Sequence, residues 1–243
     1  MKKIVRYVGT PLAAVAAIVA SASPAFATST PTSTPTSTPT STVTSTQIAQ
    51  LQAQINQRVS FLQTLSGRIQ NSKSLTSSDA STLSAEVGSS SSGDIAAMQS
   101  LLSSTSSITT KAQLQLAYET LYDVYRIYAV VGPQVDLTIM QDQILSVSSE
   151  LTNLESTLNS LIQANGDNSA AASAYSNLVT VVAQAQSTAN ALGSFPVSLT
   201  PTIYNTDPNG THTTIVNDWQ QVKGALANIK TARGDILTIL KNV

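Results

Sequence analysis

Tyrosine is concentrated in one short segment of this chain, and that segment carries the residue types best suited to binding a ligand. Four of the seven tyrosines lie there: Tyr118, Tyr122, Tyr125 and Tyr128. Arg126 lies among them, and aromatic faces beside a guanidinium stack on sugars and other planar ligands. We take Tyr118, Tyr122, Tyr125 and Arg126 as candidate ligand-binding residues. The structural alternative is that the rings fill a helical bundle while Arg126 pairs with Asp123 or stacks on Tyr122.

A second candidate site lies in residues 205–210, where oxygen-bearing side chains alternate before a glycine, as they do at the start of a calcium-binding loop. The position that should supply the closing glutamate is Val216. Asp218 comes two residues too late, and it or Asn217 is better suited to capping the last helix. We therefore expect a β-turn here and no bound metal.

The remaining polar residues form no recognisable catalytic or metal-binding motif. His212 is the single histidine and cysteine is absent, so a zinc site would need several carboxylates. The sequence has neither a G-x-S-x-G serine nor a glycine-rich phosphate loop. The acids in the middle of the chain are expected to be solvated on polar helix faces. They are Glu119, Asp123, Asp136, Asp142, Glu150 and Glu155. We expect a protein that is not an enzyme and that holds no metal or cofactor.

Apolar residues recur three and four positions apart after Thr44, and this spacing predicts amphipathic helices. The first helix should run from Thr44 to near Lys73. Thr76, followed three residues later by an acid, predicts the start of a second helix that ends at Val87. A glycine- and serine-rich stretch follows, after which Asp94 should cap a third helix.

A fourth helix should begin at Thr109 or Thr110 and carry one apolar seam: Leu114, Ala117, Leu121, Val124, Tyr128 and Val131. Gly132-Pro133 comes directly after this seam. Because proline has no N–H and crowds the preceding turn, the chain either kinks there or restarts as a new helix.

The next segment has the most regular pattern, with apolar residues alternating three and four positions apart: Leu137, Met140, Ile144, Val147, Leu151, Leu154, Leu158 and Leu161. Such a heptad seam requires long partner helices. Asn165-Gly166 should end this helix, and Asp167 should cap a sixth one. The sixth helix carries its own stripe: Ala171, Tyr175, Leu178, Val182, Ala185, Ala189 and Leu192.

Residues 193–214 are rich in proline, threonine and glycine and predict a long surface loop. A last helix follows, with the seam Ile215, Trp219, Val222, Leu226, Ile229, Ile236 and Leu240. Residues 44–243 as a whole therefore predict an all-α fold, an elongated antiparallel helical bundle with coiled-coil-like heptad seams.

Residues 1–27 have the features of a secretory signal peptide: a basic start, a short apolar run and the pair Ala25-x-Ala27. The run is shorter than the roughly 20 residues that span a bilayer, so we expect cleavage after Ala27 and no membrane span afterwards. Residues 28–43 form a Pro/Thr/Ser-rich linker with three PTST repeats. Regularly spaced proline favours an extended spacer, and a disordered tail is the alternative.

The composition argues against nucleic acid as a partner. Three of the 12 basic residues lie in the predicted signal peptide, so 9 remain against 13 acids and the mature chain carries a net charge near −4. A surface of this sign repels phosphate backbones. Since there is no cysteine, stability must come from packing without disulfides.

Several short motifs are spread over residues 47–241: Tyr125-Arg126-Ile127-Tyr128 before Pro133-Gln134 and Asp142, Leu199-Thr200-Pro201 before Tyr204-Asn205, Ala232-Arg233-Gly234-Asp235-Ile236, and Ile239-Leu240-Lys241. With these motifs the chain resembles a group of uncharacterised exported helical proteins of bacteria. The resemblance implies a signal peptide, a helical bundle and a location in the cell envelope. It assigns no functional residue, because the group has no established activity.

Signal peptide, spacer and helical body together favour an exported, non-enzymatic structural or adhesive protein of the cell envelope, secreted or held at the cell surface. The alternative is an extracytoplasmic binding module for a small ligand or glycan, with its site at the tyrosines or in residues 193–214. The expected partners are cell-wall or surface components or other proteins. The pattern is also compatible with a homo-oligomer.

Overall fold

The computed structural model describes residues 42–166 and 168–243. The predicted signal peptide, nearly all of the predicted linker and Asp167 lie outside the described residues. The part that is described is all-helical, with no strand, so the predicted all-α class is confirmed. Of the linker, Thr42 is described and pairs with Thr110 in an isolated antiparallel bridge.

Nine α-helices follow one another in the described residues: α1 (Ser45–Asn71), α2 (Ser77–Val87), α3 (Asp94–Ser104), α4 (Lys111–Glu119), α5 (Gly132–Ala164), α6 (Ser169–Ala191), α7 (Phe195–Ser198), α8 (Pro201–Thr206) and α9 (Pro208–Asn242). A 3-10 turn, Thr105–Ser107, joins α3 to α4. Two π-helical turns, Thr120–Val124 and Ile127–Val131, join α4 to α5. None of the helices described is both long enough and apolar enough to cross a membrane.

Threonine caps begin three of these helices, of which the cap at Thr76 was predicted and the other two stand where helix starts were predicted. Thr44 and Thr110 each form a capping box with the glutamine three residues later, and Thr76 accepts the N–H of Asp79. The prediction for α3 is wrong: its N-cap is Gly93, and Asp94 is the first helical residue, without a side-chain capping bond. α6 is capped by Asn168, the residue that follows the predicted cap.

The prediction of a long loop over residues 193–214 is also wrong, because this stretch contains α7, α8 and the first two turns of α9. Each of the three helices has a proline in its first two positions. Proline suits that place, where its missing N–H has no intrahelical partner and its fixed φ is already helical. Thr200 and Asp207 cap α8 and α9 with their side chains.

The predicted fourth helix does not continue as one α-helix to Val131. α4 ends at Glu119, the chain then follows the two π turns, and α5 restarts at Gly132 with Pro133 in its first turn. An α-helical turn before Pro133 would crowd the carbonyl of Ala129, and the wider π turns accommodate the proline. The predicted seam is therefore interrupted after Leu121: Val124 and Tyr128 are exposed, whereas Val131 is buried as predicted.

Buried apolar side chains form two cores. What we call the C-terminal core lies between α5, α6 and α9, and the N-terminal core lies between α1, α2, α3, α4 and the beginning of α5. α5 belongs to both, because Leu137 and Ile144 are in the C-terminal core while Val135 and Ile139 are in the N-terminal core. This shared helix joins the two halves of the molecule.

The apolar positions predicted for the three helices of the C-terminal core are buried or half-buried. In α5 the seam residues from Leu137 to Leu151 and Leu158 are buried, whereas Leu154 and Leu161 are half-buried and Ile162 is buried beside them. The stripe of α6 contributes small alanines, which allow close approach of the neighbouring helices.

Candidate functional site

The tyrosine surface is formed by Tyr118, Tyr122 and Tyr128 together with Arg58 and Phe61 of α1. The guanidinium carbon of Arg58 lies 4.7 Å from the ring centre of Tyr122 and 5.0 Å from that of Tyr128. Arg58 is only 5% exposed, whereas Tyr122 and Tyr128 are 45% and 46% exposed. The arginine therefore lies beneath two rings that remain open to solvent.

Further ring contacts extend this arrangement on both sides. Tyr118 stacks on Tyr122 with ring centres 6.2 Å apart and an interplanar angle of 14°. On the other side Phe61 packs against Tyr128 with ring centres 5.0 Å apart. The hydroxyl of Tyr122 donates a hydrogen bond to Oε1 of Gln54. Pairs of this kind contribute roughly 0.5–1.5 kcal/mol beyond burial, so the rings are held in place.

Arg58 has no carboxylate partner. Its Nη1 donates to the backbone oxygen of Gln54 at 3.1 Å, and the ion pairs found in residues 42–166 and 168–243 involve Arg68 and Arg126 instead. A desolvated cation over an aromatic face gains about 2 kcal/mol or more. Two such contacts are the main compensation for burying this charge.

Burial, and secondarily the charge of Tyr122, raises the pKa of the Tyr118 hydroxyl, which stays protonated at neutral pH.

Arg126 faces away from this cluster and contacts α8. Its backbone is left-handed, with φ of +46°, a conformation that costs a non-glycine residue of order 1–3 kcal/mol. Three contacts hold it: an ion pair to Asp123 at 3.0 Å, a bond from Nε to Oδ1 of Asn205 at 2.8 Å, and the ring of Tyr204 at 5.2 Å. Asn205 also donates to the backbone oxygen of Asp123 at 2.7 Å.

The candidate residues named from the sequence thus divide into three groups. Tyr118 and Tyr122 lie together on the tyrosine surface. Tyr125 is half-buried and packs against the N-terminal core, and Arg126 lies against α8. The structural alternative is partly confirmed, because Arg126 does pair with Asp123. Ligand binding by these residues stays a prediction.

Sequence reasoning missed Arg58, although the sequence contains a signal for it. Arg58 lies three residues after Ile55 and four before Leu62, which places it on the buried stripe of α1 beside the half-buried Val59. A charge on an apolar stripe needs a special environment. The contact between Arg126 and Asn205 joins residues 79 positions apart and leaves no such local signal.

Residues 205–210 contain neither the predicted β-turn nor an open loop. They span the end of α8 and the first turn of α9, and Asp207 accepts the N–H of Gly210 at 3.0 Å as a helix cap. A Cβ at position 210 would overlap the Asp207 carboxylate, which explains the glycine. Asp218 is not a cap either, because it is buried within α9 and its Oδ2 has no hydrogen-bond partner.

Two of the acids predicted to be solvated are not. Asp142 is buried and accepts the N–H of Thr76 at 2.8 Å, and Asp136 is half-buried in an ion pair with Arg68. Both lie in the first half of α5, which is covered on two sides by the two cores. In the described residues no three acidic, histidine or cysteine side chains come together as metal ligands.

An open cleft of about 430 Å³ lies between α7, α8 and α9. Its walls include Phe195 and Ile203 on the apolar side and Thr206, Thr211 and Thr214 on the polar side. This volume falls in the range of small-molecule sites, which bury their ligands in mostly apolar concavities.

Comparison of the chain with protein-family models, with curated proteins and with solved structures finds no match.

Proposed function

We propose that this protein is an exported, non-enzymatic helical-bundle protein of the cell envelope, structural or adhesive, and that it contacts cell-wall or surface components through the tyrosine surface. The predicted signal peptide and spacer support export. One observation supports the contact surface. Of the six large apolar side chains exposed in the described residues, four belong to residues 116–128: Leu116, Tyr122, Val124 and Tyr128.

Single exposed apolar side chains are common on folded proteins, but a cluster of them often marks a contact surface. Tyrosine supplies a large, rigid contact area together with a polar hydroxyl. The stacking of Tyr118 and the cation contacts of Arg58 fix the rings before any partner arrives. Such preorganisation lowers the entropic cost of binding.

We also propose that α5, α6 and α9 form an elongated antiparallel bundle with coiled-coil-like seams. Gln141 near the beginning of α5 donates to the backbone oxygen of Ala189 near the end of α6 at 3.1 Å. Asn177 near the beginning of α6 donates to Asp235 near the end of α9 at 2.9 Å. Both bonds join the beginning of one helix to the end of the next, which supports the antiparallel order.

The alternative is an extracytoplasmic binding module for a small ligand or glycan, and the cleft between α7, α8 and α9 favours it. The cleft combines the Phe195 ring with threonine hydroxyls, a mixture that suits a sugar. The adhesive function is preferred because the rings of the tyrosine surface are open rather than enclosed, as a contact with an extended polymer requires.

The experiment measures binding of the purified protein to whole cells, to isolated cell-wall fragments and to a panel of soluble glycans. Binding to walls is expected, and the double variant Tyr122→Ala/Tyr128→Ala should weaken it by about tenfold or more, as loss of aromatic contact residues does. Leu237→Ala on α9 is the matched control, because it removes an equally exposed apolar side chain from another surface.

Wall binding that the double variant leaves unchanged, with its helical content intact, would exclude the tyrosine surface. Binding to a soluble glycan that is lost on Thr211→Val in the cleft, but not in the tyrosine variants, would establish the alternative function. If the double variant unfolds, the single variant Tyr128→Ala replaces it, since Tyr122 alone carries the hydroxyl bond to Gln54.

A further inference from the structure

Two carboxylates are brought together where α2 ends and α3 begins. Glu86 is the last residue but one of α2, and Asp94 is the first residue of α3. The loop between them is tight: the N–H of Gly93 donates to the backbone oxygen of Ser90 at 2.8 Å. A Cβ at Gly93 would overlap the carbonyl oxygen of Gly88, so only glycine permits this closure.

Neither carboxylate has a positive partner. The ion pairs in the described part of the chain are made by other acids, Asp136 and Asp123. Burial, and then the negative charge of Glu86, raises the pKa of Asp94 to about 7. Burial also raises the pKa of Glu86, against the opposing effect of a hydrogen bond from Gln134. Two partly buried acids therefore lie near each other without an ion pair to a basic side chain in the described residues.

Gln134 completes the cluster from the first turn of α5. This side chain is fully buried, and its Nε2 donates to Oε2 of Glu86 at 2.7 Å and to the backbone oxygen of Val197 at 3.1 Å. These two bonds fix the orientation of the amide. The Oε1 atom of Gln134 is buried and accepts no hydrogen bond. The Oδ2 atom of Asp94 is likewise buried and accepts none. Buried acceptors of this kind require a compensating group.

The other end of α2 shows what a compensated acid pair looks like. There Asp142 accepts the N–H of Thr76 at 2.8 Å, and the hydroxyl of Thr76 donates to Asp79 at 2.9 Å. Asp79 also lies in the first turn of α2, where free N–H groups favour negative charge. Glu86 lies at the opposite end of the helix, which disfavours negative charge, whereas Asp94 lies in the first turn of α3, where free N–H groups favour it.

We propose that Glu86, Asp94 and Gln134 bind a divalent cation through oxygen ligands, and that the cation is Ca²⁺. Carboxylate and amide oxygens are hard ligands of the kind that Ca²⁺ takes in irregular arrangements, whereas Mg²⁺ demands near-octahedral geometry. Bound there, the ion supplies positive charge to both acids. It also ties α2 and α3 to the beginning of α5, the helix shared by the two cores. This proposal departs from the sequence-based expectation of no metal.

The test is a calcium titration of the purified, chelator-treated protein at neutral pH, followed by thermal unfolding and by calorimetry. Ca²⁺ should raise Tm by about 5–10 °C at a concentration a hundredfold above Kd, as a ligand of the folded state does in a chain of this size. Mg²⁺ should raise it less. Glu86→Gln and Asp94→Asn should abolish the response, and without calcium both should melt above the unsubstituted protein because they remove uncompensated charge.

Asp79→Asn is the matched control, since it removes an acid from the compensated pair and should leave the calcium response intact. A Tm of the unsubstituted protein that does not move in millimolar Ca²⁺ would overturn the proposal, and a proton would then be the group that neutralises Asp94. A response that persists in both Glu86→Gln and Asp94→Asn would overturn it as well, by placing the ion elsewhere.

Discussion

The two halves of the molecule are built differently. Around the C-terminal core, α5, α6 and α9 have 33, 23 and 35 residues and follow their predicted apolar stripes. Around the N-terminal core, α1 has 27 residues, but α2, α3 and α4 have only 11, 11 and 9 residues and are joined by tight or strained turns. The buried Arg58, the left-handed Arg126 and the acids Glu86 and Asp94 all belong to this second half.

The two halves thus differ in how many of their residues depart from the usual rules of helix propensity, packing and polarity. A long regular stripe satisfies helix propensity, packing and polarity together. An arginine on an apolar stripe and a strained backbone conformation are both unfavourable by themselves. Each persists only where other contacts compensate for its cost. The proposed contact surface and the proposed cation site both lie on the N-terminal half, where such departures are concentrated.

The largest effect expected is the loss of a leucine from the regular half. Leu151→Ala empties a position of α5 that is 3% exposed in the C-terminal core, and we expect a loss of about 2–5 kcal/mol of unfolding free energy, as for other core leucines. Chemical denaturation monitored by helical signal measures it. Leu237→Ala, 59% exposed on α9, is the control and should change stability by less than about 0.5 kcal/mol.

A loss below about 0.5 kcal/mol for Leu151→Ala would contradict the burial of this seam within a single folded chain. The stripe would then contribute to association of chains rather than to the fold of one chain.

In both halves of the molecule, the sequence predicts well the features that depend on local geometry. Stripes three and four residues apart depend on helix geometry alone, and threonine caps such as Thr44, Thr76 and Thr110 depend on contacts three residues away. Asp94 failed as a cap because its carboxylate is buried next to Glu86, and that contact depends on the folded loop. Only local chemistry is visible in the sequence.

Predictions failed where the structure depends on a contact between residues distant in sequence, or where the same residues are compatible with two local structures. Prolines in residues 193–214 indicate a loop by composition, yet Pro201 and Pro208 occupy first turns of helices. The π turns after Glu119 shift the periodicity, so Val124 and Tyr128 face solvent instead of the core. The tyrosine surface was found by composition, but its buried arginine comes from α1, which is distant in sequence.

An intermediate effect is expected from a buried acid of α9, in the regular half. Asp218 is 5% exposed in α9, and burial raises its pKa from 3.8 to about 6. The folded protein holds this proton more tightly than the unfolded chain. The stability contributed by Asp218 is therefore complete below pH 3.8 and is lost as the pH rises to about 6.

Asp218→Asn should remove the loss of stability that accompanies ionisation of Asp218 as the pH rises. At neutral pH the variant should be more stable than the unsubstituted protein by roughly 1–3 kcal/mol, and the difference should vanish in acid. Denaturation at a series of pH values measures it as the difference between the two proteins, so that other acids with raised pKa values cancel. A difference that stays constant with pH would mean that Asp218 does not titrate in this range.

The smallest change in global stability is expected from the loss of a local hydrogen bond, tested by one substitution in each half. Asn205 of α8 accepts from Arg126 and donates to the backbone oxygen of Asp123. Asn205→Ala removes both bonds from the strained turns but no buried apolar area. We expect about 1 kcal/mol or less of global destabilisation, since the bonds are exposed. We also expect clearly faster hydrogen exchange in residues 120–131, because Arg126 loses one of its three contacts and Asp123 loses the bond to its backbone oxygen.

Asn177→Ala is the matched control in the regular half. It removes the bond from Asn177 to Asp235, which joins α6 to α9 across the exposed face of the C-terminal core. These helices are held by continuous apolar stripes, so loss of one amide bond should leave their exchange rates unchanged. If Asn177→Ala accelerates exchange as much as Asn205→Ala does, the two halves do not differ in how they are held. If only Asn205→Ala does so, α8 is the element that fixes the segment carrying Tyr122 and Tyr128.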